Sequence, residues 1–262
     1  MRRLIIPIAL ALAGFLHAEQ APGDVDWDAE TKALLEKAVS DDPFVAIPAQ
    51  DEIRETGRPC APALRAALKD TRSHVRFFAA ELLGEIRDSA AVPDLLPLLD
   101  DLVTDKTGEP VAAAAARALG RLGDPSAADK LIEKLDSTSI DVRFEAARSL
   151  GTLRVRRAEA KLLEILKKRE VATTFRGGLM PAAAMESLGK IRAQSALKDI
   201  VDMLDALTPD ELTGMSYDQI AMKALERISG ESKGSVEADK KEETKRQWRE
   251  WWAKQAPSEV PK

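Results

Sequence analysis

Ala79-Ala80-Glu81-Leu82-Leu83-Gly84-Glu85-Ile86 decides the fold, because it comes back along the chain. It returns as Ala115-Ala116-Arg117-Ala118-Leu119-Gly120-Arg121-Leu122 and as Ala146-Ala147-Arg148-Ser149-Leu150-Gly151-Thr152-Leu153. A fourth copy is Ala184-Met185-Glu186-Ser187-Leu188-Gly189-Lys190-Ile191. A weaker fifth is Ala221-Met222-Lys223-Ala224-Leu225-Glu226-Arg227-Ile228, with Glu where the others have Gly. The intervals between these glycine positions are 36, 31, 38 and 37 residues. A period of this size marks a repeat array.

Within each copy, small and apolar residues fall at i, i+1, i+4 and i+7, one face of a helix. The paired small residues let a neighbouring helix approach closely. A second apolar segment follows each of the first four copies: 92–99, 128–135, 158–166 and 196–204. Turn residues such as Asp88-Ser89 and Gly123-Asp124-Pro125 separate the two. Each unit therefore reads as an antiparallel helix pair. One pair cannot bury its apolar face alone, whereas a stack of pairs makes one continuous core. The expected fold is all-α, a right-handed α-solenoid of about five to six helix pairs with helical caps.

The pattern Val-Arg-x-x-Ala-Ala-x-x-Leu-Gly-x-Ile/Leu resembles HEAT repeats, above all the short HEAT-like repeats of the phycobilin-lyase type. Val75-Arg76 and Val142-Arg143 match its start, whereas Val111 is followed by Ala112 and the fourth copy carries Leu179-Met180-Pro181. The resemblance covers about residues 73–228. The Trp, Tyr and Pro positions of tetratricopeptide repeats and the Thr-Pro-Leu-His of ankyrin repeats are missing. The resemblance implies that Arg76 and Arg143 are structural and pair with acidic groups of neighbouring repeats. It also implies that the second helices line the concave side.

The 262 residues are 45% hydrophobic and only 4% aromatic, so the core is built from Ala and Leu, both good helix formers. Arg2 and Arg3 precede an apolar run, Leu4 to Leu16, and His17-Ala18 leads into Glu19-Gln20. This is the layout of a secretory signal peptide over 1–18, with export to a periplasmic or extracellular space. The run is shorter than the roughly 20 residues of a bilayer span, and no membrane span is expected after cleavage. Removing Arg2 and Arg3 from the 39 basic residues leaves 37 against 44 acidic ones, a net charge of −7. Such a charge argues against a nucleic-acid partner. One cysteine, Cys60, excludes an internal disulfide and a multi-Cys metal site. Two histidines leave little for His-based catalysis, and no metal or cofactor is expected.

The remaining chain divides into an N-terminal capping helix (19–43), the repeat solenoid (44–228), a polar loop (229–239), a Trp-rich capping helix (240–255) and a tail (256–262). Trp27, Leu34, Leu35 and Ala38 share a face of the first cap. Trp248, Trp251 and Trp252 share a face of the last, which suits a lid over the final repeat. Three connections are long, Asp100–Pro110, Lys168–Gly178 and Asp205–Ser216, and should emerge along one edge. Phe175 is the candidate anchor there. Leu98, Ile165 and Met203 lie between core positions of the second helices and are the candidate partner-binding stripe of a groove.

No catalytic constellation is visible, so the sequence points to a non-catalytic exported scaffold. It would bind another protein through its concave face or edge loops. An alternative is a phycobilin-lyase-like or other enzyme-associated accessory subunit. Those relatives attach or isomerise a tetrapyrrole in the cytoplasm or stroma, a setting that an export signal contradicts. A further alternative is glycan or cell-wall binding, which requires solvent-exposed rings at Trp248, Trp251 and Trp252. The deoxyhypusine hydroxylases among HEAT-like enzymes use His-Glu pairs, which this chain lacks.

Overall fold

The computed structural model describes residues 26–169, 173–205, 209–210, 214–235, 237 and 240–255. The expected signal segment and the tail lie outside the described residues. The chain forms two compact units, one ending at Ala63 and the other spanning Leu64–Lys262. It is all-α and built as a HEAT-type solenoid of stacked helix pairs.

The first unit packs α1 (Trp27–Ala38) against α2 (Pro43–Thr56). Asp26 and Asp42 cap their first turns, accepting hydrogen bonds from the amides of Ala29 and Phe44. Leu34, Leu35 and Ala38 are buried on the shared face, but Trp27 remains 39% exposed at the first turn.

A short α3 (Ala61–Ala67) leads the chain onward. The second unit then alternates first helices carrying the repeated string with shorter second helices. The first helices are α4 (Ser73–Glu85), α6 (Val111–Leu122), α8 (Ile140–Thr152), α10 (Met180–Ile191) and α12 (Tyr217–Ser229). The second helices are α5 (Val92–Leu95), α7 (Ala128–Lys134), α9 (Glu159–Lys168) and α11 (Leu197–Val201), each entered through a 3-10 turn. A final α13 (Lys241–Gln255) closes on α11 and α12.

The aligned leucines of the five copies, Leu83, Leu119, Leu150, Leu188 and Leu225, are all fully buried. Each contributes about 1.5–3 kcal/mol by leaving water. The aligned glycines set the spacing. A Cβ on Gly84 would lie 2.8 Å from the Ala118 Cα, and one on Gly189 would lie 3.0 Å from the Ala224 Cα. At Gly120 and Gly151 the facing residues are Ser149 and Ser187, whose hydroxyls donate across the seam to the carbonyls of Ala116 and Ala147, both at 2.8 Å. Successive first helices are therefore in backbone contact, while successive second helices are linked mainly by ion pairs such as Lys167–Asp199 at 3.7 Å. The first helices form the tightly packed layer of this unit.

All three long connections end as small antiparallel turns. Thr104 bridges Pro110, Thr173 bridges Leu179, and β1 (Pro209–Asp210) pairs with β2 (Met215–Ser216). Each delivers the chain into a first helix, so the three turns share one edge of the unit.

Candidate functional site

The third residue of the repeated string is not apolar. It reads Glu81, Arg117, Arg148, Glu186 and Lys223 down the five copies, and the residue four later reads Glu85, Arg121, Thr152, Lys190 and Arg227. Helical geometry puts both rows on one side of the first helices. The rows pair across helices. Arg117 meets Glu81, and Arg121 reaches Glu81 at 3.0 Å and Glu85 at 3.9 Å. Arg148 lies 3.9 Å from Glu186, which Lys190 also holds at 3.0 Å.

The centre of this ladder is buried. Arg117 is 8% exposed and also pairs with Glu145, at 3.0 Å, and with Glu109. Glu109 comes from the turn before α6 and is 2% exposed. Arg176, from the turn before α10, donates to Glu109 at 2.9 Å and stands 3.7 Å from Glu81. Burial pushes the Glu109 carboxyl up to about 7, against the pull of Arg176 and reinforced by Glu145 and Asp141. Burial likewise lowers Arg117 to about 10, against the pull of Glu145.

The sign of the resulting pH dependence follows. The folded chain holds the Glu109 proton more tightly than the unfolded chain does, so this group's contribution is full below its ordinary range. It is lost as pH rises toward about 7. Glu109→Gln removes the titration. Urea unfolding between about pH 5 and 7 should show the wild type losing on the order of 1–3 kcal/mol relative to the variant. Parallel stability curves would mean that Glu109 stays ionised throughout.

Two hollows open on the same side. One lies between α6 and α8 and is lined by Arg117, Arg121, Glu145, Arg148 and Thr152. The other lies between α8, α10 and α12. Its floor is apolar, with Phe144, Ala182, Ala183, Met215 and Ile220. Its rim carries Arg148, Lys223 and Arg227 against one carboxylate, Glu186. Gly178 lies on the Phe144 ring, where a Cβ would come within 2.7 Å of Cε2. The Arg148 guanidinium covers the same ring at 5.7 Å. Burial alone would raise Glu186, yet Lys190, Arg148 and Arg227 together pull its carboxyl below the usual range.

The residues expected to bind a partner fall elsewhere. Leu98 and Ile165 are half-buried on the second-helix side. Met203 is only 2% exposed and leaves that stripe. α11 ends at Val201 and the following turn, with the Met203 amide bonded to the Ile200 carbonyl, carries Met203 into the core. Phe175 is 55% exposed at the tip of its turn, which its amide fixes to Asp141 at 2.6 Å while the next residue, Arg176, points inward. Arg76 donates to Asp101 at 2.7 Å and to the Asp70 carbonyl at 2.8 Å. Arg143 donates to the Ser137 carbonyl at 2.9 Å. Trp248 is 1% exposed and meets Trp251 edge-on at 5.4 Å, and both Trp251 and Trp252 are half-buried. The exposed rings that a glycan surface requires are absent at Trp248. Among the described residues no helix is long and apolar enough to cross a membrane.

The HEAT repeats family matches residues 31–109 and 102–175, and the chain belongs to it. Within that family the chain is similar to subunits of a bilin lyase. It is 35% identical over 161 residues to the phycocyanobilin lyase subunit alpha of Nostoc sp., covering 58% of either chain. Against the same subunit of Picosynechococcus sp. it is 35% identical over 167 residues, 60% of either chain. Among solved structures it resembles the complex of CpcE and CpcF of phycocyanin lyase from Nostoc sp., with 32% identity, 65% of either chain covered and a TM-score of 0.55. The chain thus spans about three-fifths of the length of the curated relatives it matches. These kinships correct one expectation. Relatives that are lyase subunits overturn the reading of the chain as non-catalytic.

Proposed function

We propose that the chain is a HEAT-repeat subunit of a lyase-type assembly, with an open-chain tetrapyrrole held against the first helices and a second protein completing the machine. The observation that carries this is the hollow between α8, α10 and α12, where a flat apolar floor meets a cationic rim. A bilin is a flat conjugated molecule with acidic side chains, so its chemistry fits both. The names of the relatives supply the pigment and the second subunit.

In this reading the chain binds and orients. Met215 and Ile220 line the hollow that would take the pigment, Arg148 packs over Phe144 beside it, and the first helices exclude water from one side. The thiol that would accept a pigment belongs to the client. The only cysteine here, Cys60, is fully buried, and burial pushes its thiol up and away from the reactive thiolate. Residues 1–18 add the proposal that this work takes place outside the cytoplasm.

Titrating the purified chain with phycocyanobilin, read by the pigment's visible absorbance, tests the proposal. Saturable binding with a Kd in the micromolar range, weakened about tenfold by Phe144→Ala, is expected. Because Phe144 is buried, Arg148→Glu at the half-buried rim serves as a second variant that spares the core. No spectral change, or binding indifferent to both substitutions, would overturn it.

A further inference from the structure

Among the described residues the ladder of charges ends without a carboxylate mate. Along α4, α6, α8 and α10 each cation of the two rows has a carboxylate within 4 Å on its own or the adjacent helix. At α12 the rows supply Lys223 and Arg227, both exposed, and among the described residues neither has a carboxylate within that distance. Lys223 is 3.4 Å from the Met215 sulfur, a weak acceptor at best. Arg227 acts on Glu186 only from a distance, and Glu186 is already engaged by Lys190 and Arg148. Two cations four residues apart on a helix face repel each other. That repulsion is left standing at the rim of an apolar hollow, where an incoming anion would relieve it.

We propose that Lys223 and Arg227 form a carboxylate site, which fixes the acidic end of a flat apolar ligand whose body lies in the hollow beside them. The guanidinium offers a fork matched to a carboxylate, and the ammonium adds a point charge from one turn away. Partial shielding by the floor strengthens both relative to open water. The ligand class is an apolar carboxylate rather than a phosphate ester, because the floor carries no polar group to receive a sugar or a phosphate chain. The inference rests on the first-helix hollow being the ligand site of the proposed function, and it adds what anchors the ligand there.

A probe that is not a pigment separates the two. Pyrenebutyrate and neutral pyrenebutanol share one aromatic body and differ in the carboxylate. Fluorescence anisotropy on the full chain should show the acid bound at least about tenfold more tightly than the alcohol. The double variant Lys223→Gln/Arg227→Gln should lose that preference, while its helical circular dichroism and the alcohol's affinity stay unchanged. Equal affinity for acid and alcohol in the wild type would overturn the proposal, as would a preference that survives in the double variant. If the acid preference holds and phycocyanobilin fails to bind, the carboxylate site stands and the tetrapyrrole reading falls.

Discussion

Arg117→Ala should cost the fold about 3–5 kcal/mol. The substitution leaves Glu81, Glu109 and Glu145 facing one another, with side chains 11%, 3% and 5% exposed. The loss of attraction is the smaller part. The greater part is three desolvated carboxylates with only Arg121 and Arg176 nearby. Urea unfolding at neutral pH reads the loss directly. Lowering the pH should restore part of it, because protonated glutamates no longer repel. A loss below about 1 kcal/mol would show that water screens the cluster as it does a surface pair.

Gly151→Ala is the second large effect. Its Cβ would stand 2.7 Å from the Ser187 Cα, so α8 and α10 must separate or the Ser187 hydroxyl must give up its bond to Ala147. Overpacking of this kind costs about 1–3 kcal/mol. Ser187→Gly removes the Cβ and hydroxyl from the seam but leaves its Cα in place, so the double variant should recover only part of the loss introduced by the alanine. A coupling of about 1–2 kcal/mol in that cycle would locate the strain at this seam. Additive losses would place it elsewhere.

Why the sequence disclosed some of this and hid the rest has a physical basis. Ala146-Ala147 and Gly151 are visible as a motif because tight helix contact admits few residue types, and the array repeats that demand. Leu83 and its four counterparts are visible for the same reason. Glu109 and Arg176 were invisible as partners. They are 67 residues apart and meet only in the assembled stack. Met203 leaves the helical stripe because the helix ends at Val201. The charged rows were in plain sight at the variable positions of the motif. Their pairing depends on which helices stack against one another, and the variable positions do not encode that. The α-solenoid follows from local patterning, whereas the hollow depends on which layer is closer-spaced, a property of the assembled stack.

The unequal spacing of the two layers has a mechanical consequence. The backbone contacts at the Gly–Ser seams should make the unit stiffer along its first helices than along its second helices, which exposed ion pairs link. A molecule seated between α8 and α12 would then rest against the stiffer layer.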